Sequence, residues 1–471
     1  MSDPGTNPED DRTGAVPDTD ETTIRPQWRT DLVLIAKIVG ATYLGFAVLG
    51  LLTGVGINET VGFLRRVTFF AAVYALVALA LNLHWGYTGL FNIGVAGFMA
   101  VGVYTMAIMT ASPEGSPAGL GLPIPIGIIG GMIAAALVGF IAALPALRVR
   151  ADYFAIVTLG LSEIIRLALL SGSLRSFEIG GTEYGTGGGR GIRYTPVDSV
   201  IPWLLDRPGI SAIGELLFTI GRAVGVQPSV IQGGLYTGVL IGFVILFYAF
   251  LTRIAYSPFG RILKAIREDE LATRSLGKNT DRVKITVFMV GCALMGLAGI
   301  LWMGSRSLVS PDSFMPIVTF YIFVALIVGG AGSNTGSVVG GFAFAAFLWE
   351  GPRFIRAIVR ANLRVRSPQT IYDAFVALGS GDPLPLFGYF IGTLDEIRFI
   401  FVGVVLVLLM IWKPDGLLGH RKEIAAATDL SRRPTAADGG TPPGHSGSGT
   451  PPGRPGDDNH PEQSKGGETD A

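Results

Sequence analysis

A single cysteine, Cys292, rules out an intramolecular disulfide, and its place inside an apolar run leaves the thiol without the ionised neighbour that would make it a nucleophile. It is expected to be a small packing residue. No GxxxxGK(S/T) run is present, so the chain has no P-loop cradle for nucleotide phosphates. The apolar runs hold no His/Glu spacing suited to a metal and no nucleophile beside a base, which argues against an intramembrane enzyme or a bound cofactor. Charge is sparse at 15% of residues and balanced, 36 Lys+Arg against 36 Asp+Glu, so the total exerts no long-range pull and nucleic-acid binding has no support.

What remains is apolar. At 471 residues, 49% hydrophobic and with a mean hydropathy of +0.50, the chain is too apolar for a soluble protein. Window length picks out about ten spans: 32–54, 64–83, 86–109, 123–147, 153–170, 235–254, 283–303, 315–330, 338–349 and 397–412. The expected fold is an all-α polytopic membrane protein with its membrane domain at 31–418. The 66 glycines point to close helix packing and interrupted helices. Residues 1–30 and 419–471 are rich in Pro, Gly, Thr and acids and bury too little apolar surface to fold, so both are expected to be disordered tails. The first lacks the apolar core of a signal peptide.

One polar stretch between two long spans, SPFGRILKAIREDELATRSLG at 257–277, organises the remainder. Ser257 and Pro258 form a helix start and Gly277 a stop, so one short helix is expected. Phe259, Ile262, Leu263 and Ile266 share one face, and Arg261, Lys264, Arg267, Glu268, Asp269 and Glu270 occupy the rest. Such a stretch either fixes orientation by the positive-inside rule or docks a cytoplasmic protein; the three acids suit a basic groove better than an anionic leaflet. Placing 255–280 in the cytoplasm and alternating outward puts Arg25, Arg29, Arg148, Arg150, Lys413, Arg421 and Lys422 on the same side, with both termini. Connections 171–233 and 351–395 then lie outside, the second despite Arg353, Arg356, Arg360, Arg364 and Arg366, the first four of which share a helical face. The GTEYGTGGGRG run in the first is expected to be a flexible loop.

VALALNLHWGYTGLFNIGVA (77–96) and VALIVGGAGSNTGSVVGGFA (324–343) align without a gap. Gly-interrupted spans in related positions of two halves expose backbone groups that must face a cavity, which makes Gly86, Gly89, Asn92 and Gly94 candidates for a substrate pathway; close helix packing is the other reading. Glu163 and Arg166, one turn apart inside a span, are expected to pair with each other or to serve that pathway. His84 and Asp152 are placed near span ends, within reach of the interface.

LNLHWGYTGLFNIGVAGFMAVGVYT, LRVRADYFAIVTLGLSEIIRLAL, SPFGRILKAIREDELATRSLGKNT, VGGAGSNTGSVVGG and the closing WKPDGLLG, with Pro414 to Leu417, resemble the inner-membrane permease of branched-chain amino acid ABC importers. They are most similar to the larger of its two related permease subunits, over most of residues 70–345 and the last span. The resemblance implies a cell-membrane subunit that is not itself an enzyme. It also implies a sister permease subunit, two ATP-binding cassette ATPase subunits and an external substrate-binding protein as partners. It makes 257–277 the coupling helix, with Arg261, Arg267, Glu268, Asp269, Glu270 and Gly277 as its residues. The spacing departs from the general Glu-Ala-Ala then Gly pattern, with Glu270, Ala272 and Gly277 here, and 351–395 and the tails have no counterpart in the pattern. Urea and short-chain amide importers share the architecture. An ion-coupled secondary transporter, which needs intramembrane carboxylates, would have Glu163, and an inert helical scaffold would share the composition.

Overall fold

Long apolar runs wind into helices long enough to cross a bilayer, and eight such helices are present among the described residues. The computed structural model describes residues 28–146, 151–207, 211–363 and 368–418. The tails expected at 1–30 and 419–471 fall outside these, apart from 28–30, which open the first helix; Arg148, Arg150, Arg364, Arg366, Arg421 and Lys422 also lie outside. In order, the chain forms α1 (Trp28–Leu52), α2 (Ile57–Leu81), α3 (Val95–Thr110), α4 (Ile124–Ala146) and α5 (Ala151–Leu170). A connection with α6 (Gly172–Arg175), α7 (Val200–Leu205) and α8 (Ser211–Ala223) leads to α9 (Pro228–Ala255). Then come α10 (Pro258–Glu268), α11 (Glu270–Ser275), α12 (Thr280–Met303), α13 (Pro316–Gly329) and α14 (Asn334–Ala343). The described chain closes with α15 (Gly351–Asn362), α16 (Ile371–Gly379), α17 (Leu384–Gly392) and α18 (Leu394–Trp412).

The molecule is an all-α polytopic membrane protein. Each of the ten apolar segments falls on helix, eight within the long spans and the others on the shorter α3 and on α18. One boundary moves. The segment expected at 338–349 is part of a continuous helical run from Asn334 to Asn362, because a π-wound stretch over Phe344–Trp349 carries α14 into α15 and Pro352 occupies a first-turn position that needs no N–H partner. The basic face of Arg353, Arg356 and Arg360 therefore lies on a continuation of that helical run rather than on a separate helix.

α2, α3, α12, α13 and α14 form the centre, and α1, α4, α5 and α9 the periphery: 83% of the α2 span is buried, against 0% for α1. The tightest seam joins α3, α4 and α12, where a Cβ on Gly102 would stand 2.6 Å from Gly296 Cα, and one on Gly131 would stand 2.4 Å from Gly102 O. Small residues here let backbones touch, the main source of helix affinity where lipid is as apolar as leucine. Cys292 is fully buried in the same seam against Gly139, a packing residue.

Contacts sort the loops into two ends. Arg267 reaches Gly86 O, Leu417 N donates to Val328 O (2.8 Å) and Tyr248 Oη donates to Asp31 (3.4 Å), so 28–31, 82–94, 255–280, 328–334 and 413–418 share one end. At the other, Asn362 donates to Thr53 O (2.7 Å), Gln227 N donates to Asn58 Oδ1 (2.9 Å) and Arg193 pairs with Leu308. The run expected to be a flexible loop is ordered there. Phe177–Ile179 and Thr182–Tyr184 form a hairpin turned by Gly180 and Gly181, both at positive φ, and Ile192 pairs with Val309.

Gly102→Ala is expected to cost about 1–3 kcal/mol through overpacking, read as a lower thermal midpoint in detergent. Gly242→Ala in α9, whose Cβ meets nothing within 4 Å, is expected to leave the midpoint unchanged or raise it.

Candidate functional site

The polar stretch at 257–277 folds as expected at its start and end but breaks in the middle. Ser257 accepts from Gly260 N (3.2 Å) and Pro258 takes the first turn of α10. Gly277, at φ +76, ends α11 with its N–H on Arg274 O (2.9 Å). The single helix expected is two, because Asp269 is extended (φ −153, ψ 105) and its carboxylate accepts from Ala272 N (3.0 Å), closing α10 and capping α11 at once. Lys264 also departs from expectation: it is buried rather than on the polar face, its ammonium donating to Ala255 O (3.4 Å) and lying 5.7 Å from the Tyr87 ring centre.

The three acids divide their labour. Glu268, largely exposed, pairs with Arg267 (2.6 Å). Asp269 is the cap just described. Glu270 is an internal clasp: Lys284 of α12, Thr280 (3.1 Å) and Arg274 (3.3 Å) all donate to it, and Arg274 also holds Asp281 (2.7 Å). Partial burial alone raises the Glu270 carboxyl, but Lys284, Thr280 and Arg274 outweigh it and hold the group below its ordinary value of 4.5. Arg261 stands on the exposed face of α10. Beside it the structure presents two residues that the sequence reading passed over, Leu271 and Leu276, which are 75% and 79% exposed.

Arg267 turns the other way. Its guanidinium donates to Gly86 O, and its side chain packs on Gly89, where a Cβ would lie 3.1 Å from Arg267 Cγ and where φ is +74. The stretch thus rests directly on the first Gly-broken segment. That segment is helix through Thr88, irregular over 89–94, and helix again from Val95. Its second counterpart breaks over 330–333, so the two halves share a helix–break–helix pattern while the gapless alignment sets the breaks out of register.

The two breaks meet at Asn82, which is fully buried. Its Oδ1 accepts from Gly332 N (2.7 Å) and its Nδ2 donates to Asn334 Oδ1 (3.2 Å), while Asn334 donates to Thr252 of α9 (3.2 Å). Gly86 closes the contact, since a Cβ there would stand 2.7 Å from Gly332 N. The rest of the first break is satisfied by side chains: Ile93 N donates to Thr158 (3.0 Å), Gly94 N to Asn92 Oδ1 (2.8 Å) and Ala96 N to Thr319 (3.0 Å). Asn92 Nδ2 lies 3.2 Å from His84 Nδ1, and His84 Nε2 lies 3.2 Å from Phe288 O with the rings stacked. An Nε2–H imidazole fits both contacts. His84 is therefore inside the bundle, not at the interface where the sequence placed it. Gly86 and Gly89 are packed beneath Arg267, while Asn92 faces His84 and Gly94 packs against Thr158 O and Asn92 Oδ1.

Glu163 and Arg166 lie elsewhere. They form a two-point ion pair (2.5 and 2.9 Å), and Arg166 also reaches Asp312 (3.3 Å) at the opposite end of the bundle. α5 connects the regions, with Thr158 on the break and Glu163 roughly 8 Å further along by helical rise. The sequence reading also missed Glu350, fully buried at the π-wound junction and neutralised by Arg353 (2.6 Å) and Arg66 (3.4 Å). Part of the basic face on α15 is thereby turned inward.

A family model described as branched-chain amino acid transport system / permease component matches residues 63–352. The chain belongs to this permease family. The match takes in both breaks and the 257–277 stretch and leaves out α1 and everything after the first residues of α15. The high-affinity branched-chain amino acid transport system permease protein LivM of Escherichia coli (strain K12) is 32% identical over 346 residues, 74% of this chain and 68% of that one. The probable branched-chain amino acid transport permease protein LivM of Methanocaldococcus jannaschii is 24% identical over 391 residues, 77% of this chain and 95% of that one. A shorter likeness, 37% over 89 residues, covers 19% of this permease and 28% of the E. coli transport system permease protein LivH. No solved structure matches.

Because folding favours ionised Glu270, its contribution is present above the unfolded-state value and lost as pH falls through the lower folded-state value. Amide exchange over 270–276, corrected for intrinsic rates, is expected to be flat from neutral pH to about 4.5 and to accelerate below it. Glu270→Gln should raise exchange at neutral pH and flatten the profile; a step that survives in this variant would move the effect to Asp281.

Proposed function

We propose that this permease is one of two membrane subunits of an ATP-driven importer for branched-chain amino acids in the cell membrane, and that 257–277 is the element through which ATP-binding cassette subunits act on it. The observation that carries the reading is Arg267 seated on Gly86 and Gly89: a polar, partner-facing stretch that bears on the break in a central span. In this reading 255–280 and both ends of the described chain are cytoplasmic, and 171–233 and 351–395 are external, where a substrate-binding protein delivers its cargo. The sister permease packs on the peripheral spans, and two ATPase subunits bind from the cytoplasm.

In this reading the roles divide. Arg261, Glu268 and the exposed Leu271 and Leu276 face the ATPase, an apolar pair rimmed by charge. Asp269, Glu270 and Gly277 keep the two short helices in shape, and Glu270 ties them to α12 through Lys284. Arg267 passes displacement to 82–94. Gly86, Gly89, Asn92 and Gly94 shape the inner part of the pathway, and Glu163 with Arg166 stands half-buried on α5 further out. ATP drives transport because its binding favours one permease conformation over the other. Hydrolysis itself lies in the partner subunits. An ion-coupled carrier fits less well, since the Glu163 carboxylate is already engaged by Arg166.

Reversing Asp269 or Glu270 would disturb the fold, so the discriminating variants are Glu268→Lys and Leu271→Asp. Each is expected to lower ATPase recovery with the tagged permease about tenfold or more and to bring labelled leucine uptake in vesicles down with it. Full ATPase recovery in both variants would remove 257–277 from the interface; an intact complex that takes up urea and not leucine would replace the substrate and keep the mechanism.

A further inference from the structure

Between α1, α2, α9 and α14 lies a cavity of about 1050 Å³ that opens sideways from the bundle. Its floor is a stripe of small residues on α2, with Ala71 and Ala75 at helical spacing, and its walls are Ile35 and Val39 of α1, Ile245 of α9 and Phe342 of α14. A groove this apolar, at the depth of membrane-crossing helices, holds hydrocarbon rather than water. The Tyr43 and Thr68 hydroxyls of the lining bond each other (2.5 Å), and among the lining residues charge is found at one end alone. There the lining passes through Thr252 and Arg253 to Tyr256 and Ser257, at the turn from α9 into α10. Arg253 is exposed and has no ion-pair partner among the described residues. An apolar trough closed at one end by an unpaired guanidinium and hydroxyls has the polarity of a phospholipid with an anionic headgroup, and basic pockets between spans on the cytoplasmic side bind such lipids.

We infer that this groove is a binding site for one anionic phospholipid, acyl chains between α1 and α9 and phosphate on Arg253. The lining includes none of the break residues 89–94 and 330–333, and the site requires no particular substrate. Its consequence is local: a lipid held at Arg253 and Ser257 braces the joint on which α10 turns, so anionic lipid steadies the 257–277 stretch. A transmembrane helix of the sister permease is the competing occupant. It would fill the apolar trough but bring no phosphate to Arg253.

The test is native mass spectrometry of the full-length chain from nanodiscs of phosphatidylglycerol or of phosphatidylcholine, with thermal midpoints measured alongside. Wild-type protein is expected to retain one phosphatidylglycerol in preference to phosphatidylcholine and to melt higher with it. Arg253→Gln should lower phosphatidylglycerol retention about fivefold and leave phosphatidylcholine unchanged, while Ala75→Phe, which fills the trough, should lower both. Equal retention of the two lipids by the wild type, or no change in Arg253→Gln, would overturn the headgroup assignment. A photo-crosslinker at Ile245 that captures a second permease chain rather than lipid in the assembled complex would overturn the site itself. Failure of the ATPase-capture variants above would leave the lipid-retention and melting outcomes readable, since those use the permease chain alone.

Discussion

Breaking a helix inside a bilayer leaves backbone N–H and C=O groups that lipid cannot satisfy, and an open break would cost more than a small residue could recover. Here two breaks satisfy one another. Asn82 supplies an acceptor to Gly332 N and a donor to Asn334, and threonines from α5 and α13 take the N–H groups that remain at the start of α3. The carbonyl of Gly86, left over at the end of the π-wound turn, is taken by Arg267 from outside the span. The 257–277 stretch is thus part of the hydrogen-bond accounting of the break, not a neighbour resting near it, and a shift of α10 must either carry 86–89 along or strand a buried carbonyl.

Around this node the packing differs from centre to edge. The α3–α4–α12 seam is so close that glycine is required on several sides, which makes it a rigid block against which the node can move. α1, α5 and α9 keep broad exposed apolar faces, the surfaces that lipid or a second membrane subunit covers. Glu270 and Lys284 fasten α11 to the rigid block, while Arg267 fastens α10 to the break. The two short helices therefore have different anchors, and the extended Asp269 between them is the natural place for one to turn against the other.

Much of this was legible in the sequence because the signals were local. Span length, the Ser257–Pro258 start and the Gly277 stop are rules about neighbouring residues, and the Glu163–Arg166 pair is one helical turn. The break at Asp269 was legible in principle, since an aspartate three residues before an N–H is a cap, but the continuous amphipathic pattern masked it. Lys264 was misplaced because its partner, Tyr87, comes from a distant segment. The same holds for Asn82, His84 and Glu350: each has a partner that folding brings from more than two hundred positions away, so His84 was read as near the interface and the other two were passed over. The repeat was visible as composition, but which glycines carry the turns, Gly89 in one half and Gly330 and Gly332 in the other, depended on backbone angles that alignment cannot see.

The account rests on Arg267 carrying motion of the coupling stretch to 82–94. The direct test is the ratio of labelled leucine taken up to ATP hydrolysed by the complete complex in proteoliposomes, wild type against Arg267→Gln. The account predicts that the ratio falls at least several-fold, hydrolysis running without matched transport. An unchanged ratio in a variant that still assembles would show that motion reaches the pathway by another route, and would leave the Arg267–Gly86 contact as packing alone.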